Sequence, residues 1–459
     1  MFLSDKIKTI HFIGIGGISM SGLAEIMLNR GYNVQGSDIQ DSPLIRKLKS
    51  HGIKVYIPHK AENVHGADLV VYTSAVKEDN PEMIEANRLG IPIMGRAAFL
   101  GKIMKEYSYG IAIAGCHGKT TSTSMISIIF KNANLDPTIL LGGELDSIGG
   151  NVRIGKSPYF ITEACEYMDN FLKFYPFCGV ILNIDEDHLD YFKDLQHIKE
   201  TFIKFVKLIP KEGFLAICAD NSNAMDVLPH ADCNVVTFGI NNKADYMATD
   251  IEFDNFGHPS FRIVKNGQDM GSYNLRIPGI HNVLNALSAF AVSDFFGISP
   301  DVVRESLMEF EGTHRRFDIL GTVNDITVID DYAHHPTEIQ VTLNAARKFP
   351  HNKLWCIFQP HTYTRTKLLF KEFASSFKEA DHVIITDIYA AREKDTGEIH
   401  SKDLVEAANK VSGNVTYMKE FEDIANYVAD NAKPGDMVMT VGAGSITNLG
   451  PMILERLKG

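Results

Sequence analysis

Eight consecutive residues, Ala114-Gly115-Cys116-His117-Gly118-Lys119-Thr120-Thr121, hold the clearest chemistry in the 459-residue chain. An apolar strand over 111–114 feeds a glycine-rich turn, and Lys119-Thr120 opens a helix expected over 121–132. Such a turn aims backbone N–H groups and a helix dipole at one anion. Lys119 is placed to reach the β- and γ-phosphates of ATP, and the Thr120 hydroxyl to meet Mg²⁺. The common GxxxxGK[ST] spacing is not met, because Ile113 stands where its first glycine belongs. The plainer alternative is a tight strand-to-helix turn with an incidental lysine. Cys116 has two readings as well: a thiolate favoured by the loop N–H groups and Lys119, or a small apolar filler.

A second glycine-rich turn, Gly14-Ile15-Gly16-Gly17-Ile18-Ser19-Met20-Ser21-Gly22, follows the first apolar run, and Asp38 closes the next one. That acid lies where a ribose hydroxyl is met in dinucleotide folds, but Ser19 replaces the third glycine of GxGxxG. The pattern points to a nucleotide's diphosphate and ribose without requiring NAD; the bland reading is a turn that packs a helix on a sheet. Two acidic stretches come next. Glu163 ends one apolar run, and Asn183, Asp185, Asp187 and His188 follow another. Carboxylates and an imidazole at strand ends suit one or two Mg²⁺ ions beside a phosphoryl group, although His188 alone reads equally as a cap or surface histidine. His281-Asn282 with Asn285, Thr313–Phe317, Asp330–Pro336 and Gln359–Thr366 are further polar clusters at expected strand ends or helix starts. Singly, each is more often a helix cap.

The elements that must position these residues are α/β throughout. Short apolar runs at 9–15, 33–36, 55–57 and 68–73 alternate with helical stretches at 20–30 and 44–50, which implies a parallel sheet. After a pause near 104–109 the rhythm resumes with strands at 111–114, 159–162, 179–182 and 214–217. Between 245 and 278 it becomes alternating with Asn-Gly turn signals, which reads as antiparallel hairpins. Helices over 281–296 and 300–310 follow. Strands at 327–329, 354–358, 382–386 and 437–441 form a third α/β segment beyond a hinge at Gly312–Arg316. No internal repeat or low-complexity tract is present.

Composition narrows the classes. Apolar residues make up 45% and charged residues 22%, as in globular chains, and the length calls for two to four domains. A net charge of −12 argues against a nucleic-acid partner. Six cysteines with no CxxC pair suit a reducing compartment, and no apolar run is long enough to span a membrane; the expected location is the cytoplasm.

Taken together, Gly14–Gly17 with Met20–Gly22, the 114–121 loop, Glu163-Ala164, Asp187–Asp190, His281-Asn282, Arg315–Phe317, Asp331–Glu338 and Gln359–His361 resemble the Mur ligases of peptidoglycan synthesis, essentially end to end. The resemblance implies three domains: a Rossmann-like UDP-sugar domain over 1–107, a central ATPase over 108–313 with a mostly parallel sheet plus a small antiparallel one, and a Rossmann-like amino-acid domain over 314–459. It implies an ATP- and Mg²⁺-dependent ligase, with two ions expected, acting on small molecules. The reaction expected joins L-alanine to the lactyl carboxylate of UDP-N-acetylmuramate; the alternative is a recycling ligase that adds a preformed tripeptide.

Carried over by residue, Gly14, Gly16, Gly17, Ser19, Met20, Ser21, Asp38 and Ser74 would hold the UDP-sugar. Gly115 to Thr121, with Asn282, Asn285, Arg316 and Asp331, would hold ATP. Thr120, Glu163 and His188 would bind metal, and Tyr332, His334 and Arg365 would surround the amino acid. Lys119, His188, Arg316 and His334 are the candidate catalytic groups, with His334 as the base for the amine. Two departures stand out: many members have arginine where Thr362 stands, and often aspartate where Cys165 stands. Two readings outside ligase chemistry fare worse. A nicotinamide-dependent oxidoreductase leaves Lys119-Thr120 without a purpose, and a nucleotide-switch module would form no amide.

Overall fold

A computed structural model describes residues 6–391 and 393–459. Its strands lie in two compact units, the first comprising residues up to 184 with 198–238 and 288–303, the second the remainder. The three-part α/β architecture expected from the sequence is present.

In the first unit, Lys54–Tyr56, Asn33–Ser37, Thr9–Ile13, Leu69–Tyr72 and Ile93–Gly95 form, in that order, an all-parallel sheet. The order reverses beside Thr9–Ile13, the strand that feeds the first glycine turn, and such a switch point opens a crevice at the carboxyl edge. Seven further strands run Asn234–Gly239, Phe214–Cys218, Cys178–Ile181, Tyr109–Ala114, Tyr159–Ala164, Thr138–Leu145, Gly150–Arg153, parallel except for the last pair. The strand leading into the Lys119 loop is therefore central and fully covered, which its unbroken apolar run demands.

The helix Ile18–Asn29 joins the two sheets of this unit, packing on Thr138–Leu145 and Gly150–Arg153. Gly22 permits the approach, since a Cβ there would lie 2.4 Å from Leu140 Cδ1. Asn151 Nδ2 donates to Ile18 O at 2.6 Å in the same contact.

In the second unit, Tyr246–Phe253, Pro259–Lys265 and Gln268–Asn274 form the expected antiparallel hairpins. A six-stranded sheet runs Asp318–Val323, Ile326–Asp331, Met437–Val441, Leu354–Phe358, His382–Ile385, Val415–Tyr417, parallel apart from the first pair. Alternate residues feed opposite layers: Ile329, Cys356 and Phe358 one, Val328, Trp355 and Ile357 the other. Among the described residues, no helix is long and apolar enough to cross a membrane.

Candidate active site

The loop after Tyr109–Ala114 is shaped by its neighbours. Register pairs Ala114 with Ile181 on one side and Ala164 on the other, so three strands end level. Gly115 has φ +140°, and a Cβ there would press to 3.1 Å on Asn183 N and Leu182 Cβ. Asn183 clamps the turn: its Oδ1 accepts from His117 N at 2.8 Å, its Nδ2 donates to His117 O at 3.0 Å, and its carbonyl accepts from Cys116 N at 3.3 Å. Gly118, at φ +83°, starts the helix Lys119–Asn132 with no side chain capping it. The first-turn N–H groups of such a helix have no intrahelical acceptor, which makes an anion site.

Lys119 folds back over this loop. Its Nζ donates to Gly115 O, to Cys116 O at 3.1 Å and to Glu166 Oε2 at 3.4 Å. Thr120 is nearly buried at the helix start, Thr121 less so. Glu163 stands at the end of Tyr159–Ala164, where its Oε1 accepts from Gly142 N at 2.7 Å. A Cβ at Gly142 would come within 2.8 Å of Glu163 Oε2, so glycine is what lets this carboxylate lie flat on the next strand. A hydroxyl at the helix start and a carboxylate at the end of the neighbouring strand are hard oxygen donors of the kind Mg²⁺ takes. Cys116 is 6% exposed, as its reading as a filler expects.

The first glycine turn follows the expected outline. Gly14 has φ +79°, and both Gly14 N and Ile15 N donate to Ser37 O, at 2.9 and 3.0 Å. Gly17 begins the helix Ile18–Asn29, again without a side-chain cap. Asp38 uses Oδ2 to accept from Gly16 N at 2.8 Å and Oδ1 to accept from Ile39 N at 2.7 Å. Each oxygen keeps a lone pair for a hydroxyl, but the carboxylate also shapes the turn. Ser74 is exposed just past Leu69–Tyr72, at the same edge of the sheet. Met20 and Ser21 are both buried, and the Ser21 hydroxyl donates to Ile18 O at 2.9 Å. We expect Asp38→Ala to raise the KM for a UDP-sugar and leave that for ATP within about twofold; steady-state kinetics in each substrate measure this, and a rise confined to ATP would contradict the assignment.

The remaining expected residues lie in the second unit. Asp187 is buried and accepts from Arg365 Nη2 at 3.0 Å and from His188 N at 2.7 Å. Burial alone would raise its pKa, yet His188, Arg365, His334 and His335 hold it well below the carboxylate range. His188 has φ +54°, and its Nε2 lies 3.6 Å from Asp187 Oδ2. Thr362, at φ +66°, caps the helix Tyr363–Leu368 and accepts from Arg365 N, so it helps to position that arginine.

His334 Nδ1 lies 3.0 Å from Tyr332 O and 3.3 Å from Glu338 Oε2. Burial, reinforced by Arg365 and His361, lowers its pKa to about 3, against the opposing pull of Glu338 and Asp187. An ordinary imidazole titrates near neutrality; in this arrangement His334 does not. It is neutral at pH 7 and a weak base. Its neighbour His335, which the sequence left without a role, caps Pro336–Ala346 in a capping box with Glu338.

Asp331 is also a builder of local structure. It accepts from Phe317 N and Ala333 N at 2.8 Å and from the Thr342 hydroxyl at 3.0 Å, while burial pushes its pKa up. Arg315 and Arg316 lie over the Tyr332 ring at 4.6 and 5.1 Å. Arg316 reaches Glu338 Oε1 at 3.8 Å, a loose pairing that leaves its guanidinium available. Asn282 donates to Pro278 O at 2.7 Å and accepts from Asn285 Nδ2 at 2.9 Å, both nearly buried.

The comparisons with known proteins bear on all three sheets. Residues 9–108 match the Mur ligase family, catalytic domain; residues 113–293 the Mur ligase middle domain; residues 315–444 the Mur ligase, glutamate ligase domain. The chain belongs to the Mur ligase family. It is 54% identical to the UDP-N-acetylmuramate–L-alanine ligase of Caldanaerobacter subterraneus subsp. tengcongensis, over 99% of both chains. It is 55% identical to the ligase of that name from Alkaliphilus metalliredigens, over 98% of this chain and 97% of that one. The crystal structure of UDP-N-acetylmuramate-alanine ligase from Thermotoga maritima superposes with TM-score 0.85 at 31% identity, covering 98% of this chain and 99% of that one. A murein peptide ligase from Psychrobacter arcticus gives 0.77 at 27%, with 98% of each covered.

Proposed function

We propose that this chain joins L-alanine to the lactyl carboxylate of UDP-N-acetylmuramate, splitting ATP to ADP and phosphate. The observation that carries the reading is identity above half, over nearly the whole chain, with relatives named for that reaction. The tripeptide-adding alternative rests on a weaker likeness, 27% identity to a murein peptide ligase.

In this reading the first sheet, within residues 1–107, takes the UDP-sugar at Gly14–Ser19, Asp38 and Ser74. The region 108–313 takes ATP on the Gly115–Thr121 loop, with Asn282 and Asn285 lining the nucleotide pocket; the region 314–459 brings alanine to Tyr332, His334 and Arg365. Arg316 and Asp331 belong to the ATP set, Asp331 by holding the Phe317 and Ala333 amides in place. Thr120 and Glu163 are assigned to one Mg²⁺, and His188 to a second ion or to the sugar's carboxylate; Mg²⁺ so held supplies positive charge to the phosphates.

A carboxylate is a poor acylating agent, so its oxygen first attacks the γ-phosphorus and ADP leaves, giving an acyl phosphate. Lys119 and Arg316 offset the repulsion between the two anions. For Lys119 this means leaving the carbonyls of Gly115 and Cys116 for phosphate oxygens. The neutral amine of alanine then attacks the acyl carbon, phosphate leaves, and the amine's proton passes to a base. His334 meets that need only if binding of the amino acid raises its pKa. The acyl-phosphate route is tested by substrate carrying ¹⁸O in the lactyl carboxylate. One labelled oxygen should appear in each phosphate released; unlabelled phosphate would exclude the route.

A further inference from the structure

Arg96 has no role in the assignments above, yet its surroundings are those of an anion-holding group. It is the first residue of the helix Arg96–Met104, directly after the edge strand Ile93–Gly95. That strand runs parallel to Leu69–Tyr72, which in turn runs parallel to Thr9–Ile13, so Arg96 leaves the sheet at the same edge as the Gly14–Ser19 turn. Its Nη1 donates to Ser19 Oγ at 3.1 Å, across 77 positions of sequence. Ser19 itself lies in the first turn of Ile18–Asn29, whose start at Gly17 has no side-chain cap.

A guanidinium carries five N–H donors in a planar fork. Among the described residues, no carboxylate lies within ion-pair distance of this one, and its side-chain hydrogen bond goes to a neutral hydroxyl. Burial lowers its pKa, opposed by the nearby Cys165 and Glu163. The Arg96 side chain is half-buried and none of its nitrogens is a buried orphan, so the donors not spent on Ser19 stay open to an incoming group. A tether between two helices does not require a charge. An anion at the start of Ile18–Asn29 would require one, because it would meet the first-turn N–H groups on one side and the fork on the other.

We propose that Arg96 grips the diphosphate of the sugar nucleotide against the Gly16–Ser19 turn, exchanging Ser19 Oγ for phosphate oxygen when substrate binds. The inference rests on the proposed UDP-sugar reading and adds a specificity-determining residue to it. The diphosphate is preferred to the lactyl carboxylate because the direct contact is with the helix start, and Glu163 acts only at longer range.

The test uses the full-length enzyme and its Arg96→Ala and Arg96→Lys variants. The readouts are the KM for UDP-N-acetylmuramate, the inhibition constant of UDP, the KM for ATP, kcat and the melting temperature. A charge-assisted bond of this kind changes affinity by about tenfold to a hundredfold. Arg96→Ala should therefore weaken UDP-N-acetylmuramate and UDP alike by that factor, with the KM for ATP and kcat within about threefold of wild type. Arg96→Lys should recover part of the affinity, as a point charge without the fork. Unchanged affinity for both ligands would overturn the proposal. So would a loss confined to UDP-N-acetylmuramate, which would place Arg96 on the lactyl carboxylate. If Arg96→Ala does not fold, Arg96→Lys decides: wild-type affinity for UDP at wild-type melting temperature rejects the grip, and a shared loss supports it. A wild-type enzyme that binds neither UDP-N-acetylmuramate nor UDP overturns the functional reading with it, and this is seen before any variant is made.

Discussion

Lys119→Ala should lower kcat by about a hundredfold to a thousandfold, the usual cost of removing one preorganised charge from a site of developing charge. The fold should survive. The ammonium sits on the loop's own carbonyls and on Glu166, none of which is a hydrophobic contact. Glu166, 1% exposed, loses a partner at 3.4 Å, so the variant should melt somewhat below wild type while still folding cooperatively. Phosphate release under saturating substrates and a thermal melt are the two measurements. Turnover within about threefold of wild type in a folded variant would remove the phosphate-loop assignment.

Arg365→Ala should cost more in stability than any surface change. The Arg365–Asp187 pair is almost wholly shielded, with side chains 10% and 6% exposed. Removing one partner of such a pair leaves a buried charge uncompensated, typically a loss of about 3–5 kcal/mol. The sign with pH follows from Asp187. Its folded pKa lies below its unfolded value, so its contribution is fully present above the unfolded pKa, about 3.9, and is lost as pH falls through the folded one. In the variant the folded pKa rises, and that contribution shrinks at neutral pH. Wild type should therefore be more stable than Arg365→Ala by several kcal/mol at pH 7, and the gap should narrow below about pH 4. Denaturant titrations at both pH values measure it; an unchanged gap at low pH would place the effect elsewhere.

How much of this was legible in the sequence varies with the range of the interaction. Leu354–Phe358 and Met437–Val441 are found where continuous apolar runs put them, because fully covered parallel strands need such runs. The strand Thr138–Leu145 was missed: Gly142-Gly143 reads as a break, yet Gly142 is there to let Glu163 approach. The edge strand Asp318–Val323 was missed for a related reason, being half exposed and interrupted by Gly321.

The site shows the same division. Lys119, Thr120 and the glycines announce themselves through spacing within one strand-turn-helix unit, and Glu163 through its place at the end of a separate apolar run. Asn183 stands out as a polar residue directly after an apolar run, but its clamp on His117 does not, since that needs a strand 66 residues away. Arg96 is invisible to any local pattern, because only the parallel order of the first sheet brings it to Ser19. For His334, residue type gives an ordinary imidazole, and only burial beside Arg365 and His361 depresses it.

The central claim is the identity of the bond formed, and one assay addresses it directly. The enzyme is supplied with ATP, Mg²⁺ and UDP-N-acetylmuramate, and then with L-alanine, glycine, L-serine or the preformed tripeptide in turn, following phosphate release and the mass of the uridine-containing product. The account predicts stoichiometric phosphate and UDP-N-acetylmuramoyl-L-alanine, with kcat/KM highest for L-alanine and no product from the tripeptide. Efficient tripeptide transfer with little or none for L-alanine would contradict it.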